Sequence, residues 1–517
     1  MSDLTFKLIA VGLYFLAMIG IGFYAFRKTR SGDDYMLGGR SLSPFTAALS
    51  AGASDMSGWL MMGLPGALYM SGLVEGWMAI GLTTGAALNW IFVAPRLRRF
   101  TEVAGDSITI PSYFDNRLGD TTRLLRVASG LVILVFFTFY VSSGMAAGGK
   151  FFVSAFGGEY WIGMLLVAGI TLLYTMFGGF LGATYTDMVQ GLIMLAALLI
   201  VPTLAIGAVG GPGAMFESVG QVNPDFGSLV TGATVIGVIS SAAWGLGYFG
   251  QPHIIIRFMA LRSSKDARMG TVIGVGWMVL CVLGVIATAM AGIAYFQQNP
   301  DMSLSDPENV VLDLAQIMMH PLLAGIVLAA VLAAIMSTIS SQLVVTSSAL
   351  VEDLVGTGVK LSASAKLWLG RIGVLVVAII GAFIARDPES TILGLVAFAW
   401  AGFGAAFGPI VLLSLYWKRL TNIGALAGMV TGAVVSFVWG KSSQAIDAEQ
   451  TTNGIANLWG ALPEPLYEIV PGFLLCLIVA VVVSLLTKAP GREALAGFRH
   501  METATTERPA VKDSTAV

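Results

Sequence analysis

Ser50-Ala51-Gly52-Ala53-Ser54-Asp55-Met56-Ser57-Gly58-Trp59 lies inside an apolar segment that runs from about 42 to 70. A helix needs ~20 apolar residues to cross the hydrocarbon core of a bilayer, so the segment is long enough. Its middle nevertheless carries a carboxylate, three serines and two glycines. No water solvates such groups at that depth, and an ionisable residue there points to function. The rest of the chain has to say what this interruption is for.

The chain has 517 residues, of which 56% are hydrophobic and 11% charged. Soluble domains carry roughly 25% charged residues. Apolar runs one helix long recur, and the alternating ~10-residue strands of a membrane barrel are absent. The chain reads as an all-α integral membrane protein set in a lipid bilayer. A net charge of −2 leaves no electrostatic footprint for nucleic acid. Cys281 and Cys476 fall within apolar spans, and His253, His320 and His500 are scattered. Neither set has disulfide or metal-ligand spacing, so no transition metal and no cofactor is expected. The first run, 4–26, has no basic segment before it and no small-residue cleavage signal after it. It reads as a retained helix rather than a signal peptide.

About 13 transmembrane helices are expected, followed by a polar, disordered tail from 488. With the N-terminus outside, the inner loops collect all 28 lysines and arginines except Lys7, Lys150, Arg386 and Lys441. Arg257 counts here as an inner-loop residue. This positive-inside bias implies an outside N-terminus, a cytoplasmic C-terminus and an odd number of helices. Acidic residues gather in the outer loops. The longest of these, 297–320, is long enough to fold over an entrance as a lid.

A second interruption matches the first. Ser240-Ser241-Ala242-Ala243-Trp244-Gly245-Leu246-Gly247-Tyr248-Phe249-Gly250-Gln251-Pro252 breaks the seventh span with glycines and a proline, which a regular helix does not sustain. Five spans separate the two starts, and five is odd, so the second block is inverted relative to the first. Paired broken helices in two inverted halves mark the midplane site of a transporter. The chain then divides into 1–41 (first helix and inner loop), 42–210 (first five-helix repeat) and 211–228 (outer loop). The remainder is 229–416 (second, inverted repeat), 417–487 (two peripheral helices) and 488–517 (cytoplasmic tail).

Unwinding a helix frees carbonyl oxygens, and carbonyls with hydroxyls suit a small hard cation such as Na⁺. The ninth span offers hydroxyls in Ala334-Ile335-Met336-Ser337-Thr338-Ile339-Ser340-Ser341-Gln342. Ser337 and Ser341 share a face, with Thr338 one step round. Such hydroxyls ordinarily bond back to a carbonyl one turn earlier, and both uses stay open. Asp55 reads as the only carboxylate deep in any span, at a cost of ~3 kcal/mol or more when charged. A bound cation or donors at a freed helix end would offset that. Trp59, Tyr140, Trp244 and Tyr248 lie near the breaks and offer apolar faces with a polar handle, which suits a small, partly apolar amino acid. Asp187 opens the sixth span. As a helix N-cap it needs no further role; release of the cation to the cytoplasm is the alternative. Arg40 is explained by the charge bias of the inner loops.

Four runs resemble the solute:sodium symporter family. They are Asp34-Tyr35-Met36-Leu37-Gly38-Gly39-Arg40-Ser41-Leu42, Leu49 through Leu60, Trp244-Gly245-Leu246-Gly247-Tyr248-Phe249-Gly250-Gln251-Pro252-His253, and Ala399-Trp400-Ala401-Gly402-Phe403-Gly404-Ala405-Ala406-Phe407-Gly408-Pro409. The resemblance runs from about 9 to 490 and is narrowest to the bacterial members that carry proline. It implies a LeuT-type five-plus-five inverted-repeat core. It implies one Na⁺ held by backbone oxygens of Ala53, Met56 and Ala334 with the hydroxyls of Ser337 and Thr338. Asp55 is implied in Na⁺ coupling, and Arg40 and Asp187 in Na⁺ binding or release on the inner side. Ser57, Gly58, Gly63, Tyr140, Trp244, Tyr248 and Pro252 match positions linked to the solute, with Trp59 beside them.

The expected function is Na⁺-coupled uptake of L-proline across a bacterial inner membrane, with no obligate protein partner. The alternative is Na⁺ symport of another small solute such as pantothenate or a sugar. A channel should show pore loops or charged rings, and a sensor needs a soluble domain that ~30 tail residues cannot form. An intramembrane enzyme needs a paired acid, base or metal set, and Asp55 has no evident partner.

Overall fold

The computed structural model describes residues 2–28, 37–304, 306–355, 362–447 and 465–506. The Asp34-Tyr35-Met36 end of the first motif and the loop residues Arg30, Lys360, Glu449 and Glu464 lie outside these, as does 507–517 with Arg508 and Lys512.

In lipid a single segment satisfies its backbone only as a helix, and every regular element among the described residues is helical. In chain order they begin with α1 (Asp3–Lys28), α2 (Pro44–Asp55), α3 (Leu64–Ser71), α4 (Gly76–Leu88), α5 (Ala94–Val103) and α6 (Ile110–Leu118). Then come α7 (Leu124–Phe156), α8 (Tyr160–Ala208), α9 (Pro212–Val222), α10 (Val235–Ala242), α11 (Pro252–Met259), α12 (Asp266–Gln298) and α13 (Val310–Met318). The last are α14 (Pro321–Ser348), α15 (Ala363–Ile384), α16 (Ile392–Tyr416), α17 (Asn422–Asp447), α18 (Ile469–Leu486) and α19 (Arg492–Thr506). Nine segments among the described residues are long and apolar enough to cross a membrane, and Tyr160–Leu173, Val235–Gly250 and Trp368–Ile384 are shorter apolar helices.

Both interruptions are present, and they differ in kind. Ser43 caps α2, its Oγ accepting from the Thr46 N–H at 3.2 Å, and Pro44 fits the first turn. The helix stops at Asp55 because Met56 leaves helical space at φ −77°, ψ 80°. The chain re-enters through a widened turn, Trp59–Gly63, which leads into α3. The second interruption is wound tighter. α10 narrows into a 3₁₀ stretch, Ala243–Gly250; Gln251 is extended, and Pro252 starts α11. Small residues permit this narrow winding, which presses Gly245 onto α4: a Cβ on Gly85 would sit 2.1 Å from the Gly245 carbonyl oxygen. Only glycine fits at such a crossing. α11 then packs along α2, while α14 runs through the interior against α1, α7 and α8.

Two expectations fail here. Spans five and six, which together make up α8, part where Gly179 takes φ 56°, ψ −158°. The second of them starts there, so Asp187 lies about two turns inside a helix and is not its N-cap. The tail is also not disordered over its described part. α19 packs on α5 and α6, with Phe498 only 1% exposed, edge-on to Phe100 and 4.4 Å beneath the Arg117 guanidinium. Its apolar face found a partner that polarity averaged over the tail concealed.

Candidate cation and solute site

Where α2 nears its end, the Ala53 carbonyl faces α14. The Ser337 hydroxyl donates to the Ala53 carbonyl at 2.7 Å and approaches the Ala334 carbonyl at 3.1 Å. Thr338 Oγ1 reaches the same Ala334 oxygen at 3.3 Å. Back-bonding and the contact across to α2 thus coexist. Ala53, Ala334, Ser337 and Thr338 form one buried group of neutral oxygens, a donor set suited to a hard monovalent cation rather than a soft metal. Met56 adjoins it at the helix end. No cluster of three His, Cys, Asp or Glu side chains with metal-binding arrangement occurs among the described residues.

Asp55 is 1% exposed. Tyr248 donates its hydroxyl to Oδ2 in a short hydrogen bond, while Oδ1 has no hydrogen-bond partner. The carboxylate thus points across to the second interruption, and its own carbonyl accepts from Trp59 Nε1 at 2.9 Å. Ser57 orders the break, its Oγ accepting from the Trp59 N–H at 3.3 Å. Gly58 lets α7 approach: a Cβ there would come within 2.8 Å of Ala147 Cβ. Ser57 and Trp59 adjoin the Tyr140 hydroxyl.

The remaining expected solute residues are spread out. Gly63 and Trp244 line an open cavity of about 680 Å³ together with Lys150, Glu308, Thr391 and Gly394. Trp244 is stacked on Tyr467 at 5.3 Å and on Trp400 at 6.3 Å, so its ring is largely engaged by protein. Pro252 lines a separate small cavity with Thr109 and Asp353.

Arg40 and Asp187 are not at the oxygen group. Arg40 bonds Asp106 at 2.8 Å and the carbonyls of Met259 and Ser107, both at 2.8 Å. It clamps the end of α11 to the loop after α5. Burial lowers its guanidinium from the ordinary value and Asp106 opposes the shift; an arginine stays protonated regardless. Asp187 is fully buried and accepts from Ser50 Oγ at 2.7 Å and Arg257 Nη2 at 3.1 Å. Arg257 also donates to Ser341 at 2.6 Å and to the His253 carbonyl.

The structure thus corrects two readings. Asp55 is not the only deep carboxylate, because Asp187, well inside its helix, is also fully buried. Arg257 is not a loop residue; it is 1% exposed. Its flanks, Ile254-Ile255-Ile256 before it and Phe258-Met259-Ala260-Leu261 after it, were the available signal that it is buried. Glu308 was also missed as part of the site's surroundings. It accepts the Ile392 N–H at 2.9 Å and Lys150 Nζ at 2.7 Å, which docks the 297–320 segment against the first turn of α16.

A family model described as the sodium:solute symporter family matches residues 35–432. The chain is 51% identical over 477 residues to the high-affinity proline transporter PutP of Bacillus subtilis (strain 168), covering 92% of this chain and 97% of that protein. It is 49% identical over 497 residues to the osmoregulated proline transporter OpuE of the same organism, with 96% and 98% covered. It is 50% identical over 489 residues to the sodium/proline symporter of Staphylococcus aureus (strain USA300 / TCH1516), with 93% of each covered. Among solved structures, a Na⁺-coupled sialic acid symporter in a substrate-bound outward-open state superposes with a TM-score of 0.76 at 19% identity, covering 94% of this chain and 99% of that one. Mhp1, a nucleobase-cation-symport-1 family transporter, superposes with a TM-score of 0.52 at 13% identity, covering 91% and 99%. The fold is all-α and of the LeuT type.

Proposed function

The chain belongs to the sodium:solute symporter family, and we propose that it takes up L-proline with Na⁺ across a bacterial inner membrane by alternating access. Sequence identity near 50% to proline transporters over nearly the whole chain supports the solute. The single observation that carries the coupling reading is the join between the two repeats: Ser337 Oγ at 2.7 Å from the Ala53 carbonyl, with Ala334 and Thr338 alongside.

Na⁺ replaces that hydroxyl–carbonyl hydrogen bond by drawing both oxygens, and those of Ala334, Thr338 and Met56, onto itself. The cation thereby ties α2 to α14. Asp55 sits two residues after Ala53 and bonds Tyr248, so closing the cation site also sets the second interruption. Ser57, Gly58, Trp59, Tyr140 and Tyr248 then receive the solute, with Gly63 and Trp244 at the cavity mouth. Each ligand favours the same closed arrangement, so each raises the other's affinity by the same factor. The membrane potential adds ~2.3 kcal/mol per 100 mV for each Na⁺ that enters with a neutral zwitterion.

In this reading the cavity at Gly63 and Trp244 faces outward, and the N-terminus is outside with the C-terminus in the cytoplasm. The crossings number thirteen, with the repeats at 42–210 and 229–416. Arg40 and the Asp187–Arg257 pair lie on the inner route, where Asp187 draws the cation toward release. Labelled proline uptake into proteoliposomes tests the function. An imposed inward Na⁺ gradient should stimulate uptake, and equal uptake with a K⁺ gradient removes the coupling claim. Competition by pantothenate or glucose, but not by proline analogues, moves the solute to another class.

A further inference from the structure

α14 carries Ser337 and Thr338 near its middle and changes its winding after Ser348. There Ala349–Val355 widens into π-type turns, a distortion frequent at functional sites. Asp353 lies in this stretch and is fully buried. Its Oδ1 accepts from Thr109 Oγ1 at 3.1 Å and from Arg126 Nε at 2.8 Å. Its Oδ2 has no hydrogen-bond partner. The arginine is shared, since its Nη1 also lies 3.7 Å from Asp115 Oδ2. Glu352 is a further carboxylate within electrostatic reach of Asp353.

Asp353 lines a small cavity of about 20 Å³ with Thr109, Ser348, Val345 and Ile256. That is room for one water molecule or one ion of similar size. Ser348 sits about three helical turns after Ser337, on nearly the same face of α14. Its hydroxyl donates back to the Val344 carbonyl at 3.1 Å, which leaves the oxygen's lone pairs for another contact. Buried polar atoms are nearly always paired, and an exception calls for a reason. Tying helices together is not the reason for Oδ2, because Thr109 and Arg126 both bind Oδ1. A carboxylate oxygen beside a hydroxyl, in a space the size of an ion, suits a small hard cation.

We propose that Asp353 and Ser348 form a second Na⁺ site, a station that the cation occupies after it leaves the Ser337–Thr338 group for the cytoplasm. The inference rests on the Na⁺-coupled reading above and adds a place on the exit route. The cavity has no room for an amino acid, so cation and solute part before this point. Na⁺ supplied from the cytoplasmic side refills the station and slows the next turnover.

Right-side-out membrane vesicles containing the full-length protein and loaded with graded Na⁺ test this, through the initial rate of labelled proline uptake at saturating external Na⁺. Asp353→Asn removes the charge and Ser348→Ala removes the hydroxyl. Each should raise the internal Na⁺ concentration for half-inhibition at least roughly fivefold. The external Na⁺ concentration for half-maximal uptake should stay within twofold, and Asp353→Glu, which keeps the charge, should behave close to the unsubstituted protein. Half-inhibition within twofold of the unsubstituted value in either Asp353→Asn or Ser348→Ala overturns the inference. So does a parallel shift of the internal and external dependences, which marks residues that only hold helices together. If Asp353→Asn does not fold, Ser348→Ala decides alone. Uptake that is Na⁺-stimulated but indifferent to internal Na⁺ in the unsubstituted protein sinks this inference only, whereas uptake without Na⁺ stimulation sinks the coupling reading itself.

Discussion

Ser337 occupies the position where one hydroxyl answers to two helices. It accepts the geometry of α14 through Ala334 and reaches the α2 carbonyl of Ala53. A hydrogen bond or ligand contact to a charged group contributes about 1.5–3 kcal/mol. Ser337→Ala should therefore weaken the apparent Na⁺ affinity by at least roughly tenfold, while proline uptake at saturating Na⁺ stays near normal. A Na⁺ activation curve on both proteins decides it, and an unshifted curve makes Ser337 a packing residue. Individual residues were legible where backbone chemistry set their role. The hydroxyl periodicity of 334–342 and the glycine-serine break at 50–59 both pointed to oxygens at midspan. Arg257 and Asp187 were not legible as a pair. They are remote in sequence, and each had a sufficient local explanation, one as a loop cation and the other as a cap. Only the packing of α11 and α8 on the same helix, α2, brings them together, and breaking such a buried pair on one side typically costs about 3–5 kcal/mol.

Among the elements, the 297–320 segment is docked through the Glu308 side chain. Glu308 accepts the first free N–H of α16, at Ile392, and pairs with Lys150; Asp306 adds a second carboxylate 3.1 Å from the same lysine. Gly66 on α3 leaves room for this docking, since a Cβ there would approach the Glu308 backbone at 3.0 Å. Losing a helix-capping acceptor costs about 0.5–2 kcal/mol. Glu308→Ala should thus raise the opening of this segment by roughly 2- to 30-fold, read as faster hydrogen exchange over Val310–Met318. Unchanged exchange means that the apolar face of α13, with Val310, Val311, Leu312 and Leu314 buried, holds the segment without the carboxylate. The length of this loop and its acidity were visible in the sequence. Its docking partner was not, because Lys150 and Ile392 come from distant helices. The interruptions show the same limit. Glycine and proline announced that both helices break, but only neighbours decided that the first unwinds and the second tightens.

At the scale of the molecule, the sequence carried the architecture far better than the detail. Apolar runs and loop charge imply a many-helix membrane protein with an inverted pair of broken helices, and these properties depend on sums over many residues. Bends such as Gly179 and the docked α19 depend on one φ angle or one buried phenylalanine, and sums do not see them. The open cavity lies on the side of Glu308 and Lys150, while the opposite side is packed by Arg40, Arg98 and Arg257. Access to the site must therefore alternate by moving some helices past others. The Gly85–Gly245 crossing restricts which ones. With backbones touching and no side chain between them, α4 and the tightened stretch after α10 cannot slide on one another; they are riveted. The two repeats thus share one rigid lever, although each contributes a different half of it. Paired spin labels, one on α4 and one on α10, should keep a single narrow distance distribution with and without Na⁺ and proline. The same α4 label paired with one on α14 should give a distribution that shifts between those conditions.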